Sequence, residues 1–158
     1  MSGTQTDEFT VRRIGSVRST RTETIDDDWG GVTATIALDP PFDARSVAGL
    51  TEFSHVEVVF LFDRVDPDSV CEHARHPRGN REWPEVGIFA QRAKDRPNRL
   101  GLCTCEVVAV EGASIVVRGL DAIDGTPVLD VKPYLAEFAP RGDVRQPAWS
   151  HELMRDYW

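Results

Sequence analysis

The stretch Gly101–Arg118, G-L-C-T-C-E-V-V-A-V-E-G-A-S-I-V-V-R, reads as two strands joined by a tight turn. Cys103, Cys105, Val107 and Ala109 fall at every second position and form one small apolar face, as side chains alternating across a pleated strand require. Glu111-Gly112 interrupts the run as a hairpin turn, and Ala113–Arg118 returns as the partner strand. Two cysteines spaced i, i+2 in such a strand point to one side and read as small core residues.

Further strands appear on both sides of this hairpin. His55–Phe62 (H-V-E-V-V-F-L-F) is nearly continuous apolar sequence of strand length, so a central strand covered on both faces is expected. In Val32–Leu38, Val32, Ala34, Ile36 and Leu38 face one way while Thr33 and Thr35 face the other; Asp39-Pro40-Pro41 ends the run. Phe9–Arg18 is rich in β-formers, with Gly15 marking a bulge or a close approach. Asp43–Gly49 suits one helical turn capped by Asp43. Val128–Val131 gives another buried strand. Gln146–Trp158 reads as a helix: Pro147 suits its first turn, and Trp149, Leu153, Met154 and Tyr157 keep helical spacing as a stripe for packing or a dimer contact. The pattern predicts a mainly β, single-domain barrel of about six to seven strands with a short C-terminal helix. Its expected divisions are a disordered tail over 1–8, the barrel over 9–140 and a helical extension over 141–158.

Composition narrows the function. A formal charge of -8, from 26 acidic and 18 basic residues, argues against broad nonspecific nucleic-acid binding, which needs net phosphate neutralisation. No apolar run is long enough to span a bilayer, and the polar N-terminus M-S-G-T-Q-T-D-E is unlike a signal peptide. Three cysteines in no dense pattern suit a reducing, cytoplasmic setting. Cys71, His73 and His76 resemble part of a metal set without an obvious fourth ligand. Asp26, Asp27 and Asp28 are consecutive and cannot all face one ion, so they read as a solvated acidic loop; no metal is expected.

Two loops carry the chemistry. Val86–Gly101 (V-G-I-F-A-Q-R-A-K-D-R-P-N-R-L-G) opens as a short buried strand, Val86–Ala90, and then becomes basic with Arg92, Lys94, Arg96 and Arg99. Pro97 prevents a regular strand or helix from continuing, and a rigid cationic loop of this kind either holds an anionic group or is a solvated turn. Residues 64–85 are irregular, basic and long for a structureless connection. In Gly119–Tyr134, Asp121 and Asp124 bracket a turn closed by Gly125, while Asp130, Lys132 and Tyr134 project to one side of an extended strand. An acid, an amine and a phenol on one face form either a reactive group or an ion pair beside a packed tyrosine. Trp29, an indole beside Gly30-Gly31, either closes over a flat ligand or lids the core. No Gly-rich dinucleotide fingerprint and no Walker loop is present.

Four blocks in order, I-G-S-V-R-S (Ile14–Ser19), G-L-T-E-F-S-H (Gly49–His55), G-I-F-A-Q-R-A-K-D-R-P-N-R-L-G (Gly87–Gly101) and L-D-A-I-D-G-T-P-V-L-D-V-K-P-Y (Leu120–Tyr134), resemble the TsaA-like family, also called TrmO- or YaeB-like. The resemblance implies a β-barrel that binds S-adenosylmethionine and forms a homodimer, with tRNA-modifying members methylating the exocyclic amine of a modified adenosine beside the anticodon. Carried over by position, it places cofactor contacts at Phe62, Asp63, Arg92, Leu102 and the turn Asp121, Ala122, Ile123, Asp124. Chemically, Asp121 or Asp124 can accept from ribose hydroxyls or an amino group, Arg92 can hold a carboxylate, and Phe62, Leu102 or Trp29 can sandwich adenine.

The sequence departs from the family pattern where P-R-Q is common in the first loop and T-E-T-I-D-D-D-W-G-G stands here. Asp63 stands where a histidine is frequent after the central strand, and R-P-N-P reads R-P-N-R. The C-terminal domain of longer members is not matched, which on an acidic chain implies weaker tRNA binding and leaves the basic segment 75–99 as the phosphate-facing patch. The expected function is methyl transfer from S-adenosylmethionine to a tRNA adenosine, with Asp130, Lys132 and Tyr134 orienting the acceptor. The alternatives are a small-molecule acceptor or a non-catalytic S-adenosylmethionine-binding module.

Overall fold

The structure, a computed structural model, describes residues 6–158; the expected tail falls in part on residues 1–5, outside the described residues. Its strands are β1 (Gly15–Ser19), β2 (Thr33–Leu38), β3 (His55–Leu61), β4 (Ala74–Arg75), β5 (Val86–Gly87), β6 (Leu100–Glu111), β7 (Ser114–Arg118) and β8 (Pro127–Pro133), followed by helix α1 (Ala148–Leu153). Six of them close a barrel in the order β1-β2-β7-β6-β3-β8, and β4 and β5 form a separate two-stranded ribbon. Closure leaves the barrel without free edges. No described helix is long and apolar enough to cross a membrane.

The hairpin β6–β7 forms about its expected turn, but the expected apolar face holds only through Val107: a bulge shifts the register between Val107 and Ala109, so Ala109 stands across from Val116 on the outer face and Val110, across from buried Ile115, takes its place inside. Glu111 pairs with Ser114 across a turn in which Gly112 takes a left-handed φ of 59°. Cys103 and Cys105 face inward with Val17, Ile36, Val56, Val58, Phe60, Ile115, Val117 and Val128. Burying each of the larger side chains stabilises the barrel by roughly 1.5–3 kcal/mol before entropy is counted. Gly101 lies directly across from Phe60, whose ring lies where a Cβ on Gly101 would stand.

Several elements differ from the pattern reading. β3 is buried on one face only: Val56, Val58 and Phe60 point into the barrel, whereas Glu57, Val59 and Leu61 are half-buried on the outside. It looked two-sided because Val59 and Leu61 pair outwardly with the equally apolar Leu102 and Leu100. Val86–Ala90 is not a buried strand; pairing stops at Gly87, a 3-10 turn follows over Ile88–Ala90, and only Ile88 turns inward while Phe89 is 78% exposed. β1 starts at Gly15 rather than at Phe9, and a Cβ on Gly15 would strike the Ala37 carbonyl oxygen, so the glycine marks a close approach. β8 alternates, with Val128 buried but Asp130 and Lys132 exposed. The C-terminal helix ends at Leu153; the chain then turns back as a strap over 154–158. Asp43 does cap a 3-10 turn over Ala44–Val47, with Ser46 completing a reciprocal capping box.

The seam between β1 and β8 is short. Only Gly15↔Val128 and Ser16↔Pro127 pair in register, supplemented by Ile14 N donating to the Val128 carbonyl (2.8 Å) and Val17 N to the Thr126 carbonyl (2.9 Å).

Candidate functional site

Register places three connections at one end of the barrel. Ser19 pairs with Ala34, Leu61 with Leu100, Arg118 with Thr33 and Phe60 with Val128, so the loops 20–32, 62–99 and 119–126 all open toward the same end. Loops set on a rigid barrel can position chemistry without disturbing the core.

The first two loops are joined by charge. Arg78 pairs with Asp27 (2.9 Å) and approaches Asp26 (4.0 Å), and Lys94 Nζ lies 3.9 Å from Asp26. Asp26 and Asp27 are therefore counter-charges to the basic loop, while Asp28 stays exposed without an ion pair among the described residues. Other basic side chains brace the loop from within. Arg75 pairs with Asp95 (2.6 Å), Arg96 donates to the Gln91 carbonyl (2.6 Å) and Arg99 to the Val65 carbonyl (2.9 Å). Buried Gln91 donates to the carbonyls of Arg75 and Val86, fixing the β4–β5 ribbon beneath them.

Most of the residues singled out for a cofactor meet at this end. Arg92 Nη2 donates to the Leu102 carbonyl (2.7 Å), and the Leu102 side chain stands outside β6, 47% exposed. Phe62 sits edge-on to Phe60 (centroids 5.2 Å apart), with its amide bonded to the Arg99 carbonyl (2.9 Å); Asp63 beside it is exposed. Cys103 Sγ lies 3.3 Å from the Gly119 carbonyl oxygen, which brings the 119–124 turn alongside the start of β6.

Within that turn the two aspartates have different roles. Asp124 Oδ1 accepts from the Ser19 amide (3.0 Å), and its own amide donates to the Arg21 carbonyl (2.8 Å), so Asp124 stitches the turn to β1. Ala122 is buried, and the Ile123 carbonyl accepts from Thr126. Asp121 is bonded differently. Its Oδ2 accepts the Tyr157 hydroxyl, while Oδ1 is shut off from water with no partner. An orphaned buried oxygen is costly, by about 1–3 kcal/mol, until a donor reaches it.

Trp29 is enclosed by protein. It is 4% exposed, its Nε1 donates to the Asp26 carbonyl (3.2 Å), and the Arg21 guanidinium lies 4.1 Å over its ring. The indole lids the core, and one of its faces is already covered.

The electrostatics around Asp121 keep its neighbours neutral. Burial first, then the Asp121 charge, pushes the Cys103 thiol up and the Cys105 thiol up to about 12. The Tyr157 hydroxyl is pushed up by burial and by Asp121, with Arg92 opposing, so guanidinium, carboxylate and phenol share one environment. Both thiols are thus favoured in their neutral form within the core, and the Tyr157 hydroxyl in its protonated, donating form.

Asp130 and Lys132 share the outer face of β8, whereas Tyr134 lies just past the strand's end and is half-buried, its amide donating to the His55 carbonyl (2.9 Å). Asp130 stands across from Val59 and Lys132 across from Glu57. Among the described residues no hydrogen bond or ion pair links the three to one another, and Asp130 Oδ1 accepts only from the next amide, Val131. Sequence reasoning did not single out Tyr157 for the site. Its stripe suggested packing, and nothing local signals a bond to a residue 36 positions away.

A cleft of about 230 Å³ lies beside this centre, lined by Gly30, His55, Thr104, Glu106 and Trp158 among others. Among the described residues no group of three or more His, Cys, Asp or Glu is placed to hold a metal.

The barrel and its loop end have counterparts. The tRNA-methyltransferase O N-terminal domain family matches residues 27–139. A human tRNA (adenine(37)-N6)-methyltransferase is 40% identical over 112 residues, which cover 71% of this chain and 25% of that protein. A probable S-adenosyl-L-methionine-binding protein of Methanothermobacter thermautotrophicus is 34% identical over 139 residues, 85% of this chain and 96% of its own length. The crystal structure of TrmO from Pseudomonas aeruginosa superposes with a TM-score of 0.71 at 30% identity, covering 88% of this chain and 62% of that one. The chain thus spans about a quarter of the human relative and nearly all of the archaeal one. With most of its length matched by one family and its barrel shared with a solved member, the chain belongs to the tRNA-methyltransferase O N-terminal domain family.

Proposed function

We propose that this protein binds S-adenosylmethionine at the loop end of the barrel and transfers its methyl group to a nucleophilic nitrogen, the exocyclic amine of a tRNA adenosine near the anticodon. The observation that carries this reading is the convergence of Arg92, Leu102 and the partnerless Oδ1 of Asp121. When bound, the cofactor supplies a methyl group activated on a sulfonium. The donor set suits it. Arg92 is a cation for its carboxylate, Asp121 Oδ1 an acceptor for a hydroxyl or amino hydrogen, and Leu102 and Phe62 are apolar surfaces for its adenine. Asp124 and Ala122 act by shaping the turn. Catalysis on this scaffold consists of positioning, since direct transfer to an aligned nitrogen needs no covalent intermediate on the protein. The names borne by relatives, a tRNA (adenine(37)-N6)-methyltransferase and a probable S-adenosyl-L-methionine-binding protein, support the cofactor and the reaction class.

A second reading, a small-molecule acceptor, is favoured by one observation. The basic loop is largely spent on internal partners, with Arg75, Arg78 and Lys94 facing Asp95, Asp27 and Asp26. Isothermal titration with S-adenosylmethionine and its demethylated product tests the site: Arg92→Ala is expected to weaken binding at least about tenfold, as loss of a charge-assisted pair does. Unchanged affinity removes Arg92 from the site. Methyl transfer to tRNA that falls steeply with salt supports the RNA acceptor, and absence of any RNA affinity favours the small molecule. A Tyr134→Phe, Asp130→Asn double variant that kept full turnover would end the role of those side chains in orienting the acceptor.

A further inference from the structure

The segment after residue 139 lies outside the family match, yet it reaches the centre of the site. Helix α1 docks on the second loop, where Trp149 packs against Trp83 (centroids 6.4 Å) and Glu152 accepts from Trp83 Nε1 (2.8 Å). Beyond the helix, the strap lies along the first loop: Asp28 N donates to the Asp156 carbonyl (2.9 Å) and Trp29 N to the Tyr157 carbonyl (2.8 Å). The approach is close. A Cβ on Gly30 would stand 2.8 Å from the Trp158 carbonyl carbon and 3.2 Å from its Cα. The loop is built to receive the strap, and the strap delivers Tyr157 to Asp121.

We infer that Tyr157 is a positioning residue of the cofactor site: its hydroxyl holds Asp121 Oδ2 so that Oδ1 is presented to a hydroxyl or amino group of S-adenosylmethionine. This rests on the assignment of Asp121 to that site. The geometry explains why one oxygen is satisfied and the other is not. A carboxylate offers about four acceptor sites on two oxygens, and anchoring one oxygen with a donor fixes the rotamer and aims the other. A phenol suits this role because it remains protonated here and cannot exchange its donor for a charge.

Isothermal titration with S-adenosylmethionine, on the wild-type chain and on Tyr157→Phe, Asp121→Asn and the double variant, tests the inference, with Tm measured in parallel. Tyr157→Phe removes only the hydroxyl, and the dissociation constant is expected to rise about tenfold, the scale of one hydrogen bond to a charged group. That loss should vanish in the Asp121→Asn background and persist in a Leu102→Ala background, a pattern that a purely structural tyrosine would not produce. Gly30→Ala, which displaces the strap while leaving Tyr157 and Asp121 intact, should weaken binding as well. Wild-type affinity in Tyr157→Phe, with Asp121→Asn impaired, overturns the inference and leaves the site standing. Tighter binding in Tyr157→Phe overturns it in favour of a strap that competes with the ligand. Unchanged affinity in Asp121→Asn removes Asp121 from the site and the inference with it.

Discussion

Replacing Gly101 by alanine should destabilise the barrel measurably, although it adds a single methyl group. Gly101 pairs with Phe60 in register, and the new Cβ would stand 2.5 Å from Cζ and 2.8 Å from Cδ2 of that ring, as well as meeting Cε2. Carbon atoms rest about 3.5–4.0 Å apart, so the ring must retreat by about 1 Å or the strands must part. Retreat is blocked: Phe60 is 1% exposed and sits edge-on against Phe62. Overpacking of this kind costs about 1–3 kcal/mol. For a domain of this size each kcal/mol shifts Tm by about 2–4 °C, so a fall of about 2–12 °C is expected in a thermal melt. A Phe60→Leu partner substitution should make room, so the double variant should lose less stability than the sum of the single changes. A Gly101→Ala protein that melts with the wild type would refute the account of why glycine stands there.

Three further outcomes follow from the same geometry. Cys103 and Cys105 are buried and held as neutral thiols, whereas Cys71 is part-exposed, so a thiol alkylating agent at mildly alkaline pH should label one cysteine in the native protein and all three after denaturation, counted by mass spectrometry; native labelling of Cys105 would contradict its burial. Gly30→Ala should unseat the strap and expose the Trp29 amide, so hydrogen exchange at that amide, now bonded to Tyr157, should accelerate while the β6–β7 amides are unchanged. The Asp43 carboxyl is held below its ordinary value by the Arg45 side chain and then the Arg45 amide. A depressed folded-state value means that this contribution is fully present above the ordinary carboxyl value and is lost as pH falls from there through the lower folded-state value, so Asp43→Asn should reduce the acid dependence of stability in denaturant titrations.

The sequence carried the strands wherever one face was apolar and the other was not. The first half of β6, its turn at Gly112 and β7 are legible for that reason, as is β2, whereas the bulge that turns Ala109 outward and Val110 inward is invisible in an unbroken apolar run. β3 was legible as a strand but not as a one-sided one, because Val59 and Leu61 join an apolar patch outside the barrel with Leu100 and Leu102. The helical spacing of the last residues extended past the real helix because Tyr157 occupies a helical position by number while its partner is Asp121. Arg92 and Asp121 were singled out as candidates within the family blocks and Leu102 by its position just after one, and the structure distinguishes Asp121 from Asp124 by showing that Asp124 already has a backbone partner whereas Asp121 Oδ1 has none. The burial of Trp29 under Arg21 depends on an irregular loop that brings together two residues eight positions apart, which periodicity does not describe.

The short seam between β1 and β8 has a kinetic consequence. Gly15 must find Val128, a contact between distant parts of the chain, and loop-closure entropy makes such pairings late events in folding. The bonds that finish the seam belong to the turn that carries Asp121: Ser19 to Asp124, Asp124 to Arg21, and Gly125 N to the Val17 carbonyl (2.7 Å). The turn bearing Asp121 therefore acquires its shape only when the barrel shuts. A ligand that recognises this turn acts as a clasp, drawing the population toward the closed chain by mass action.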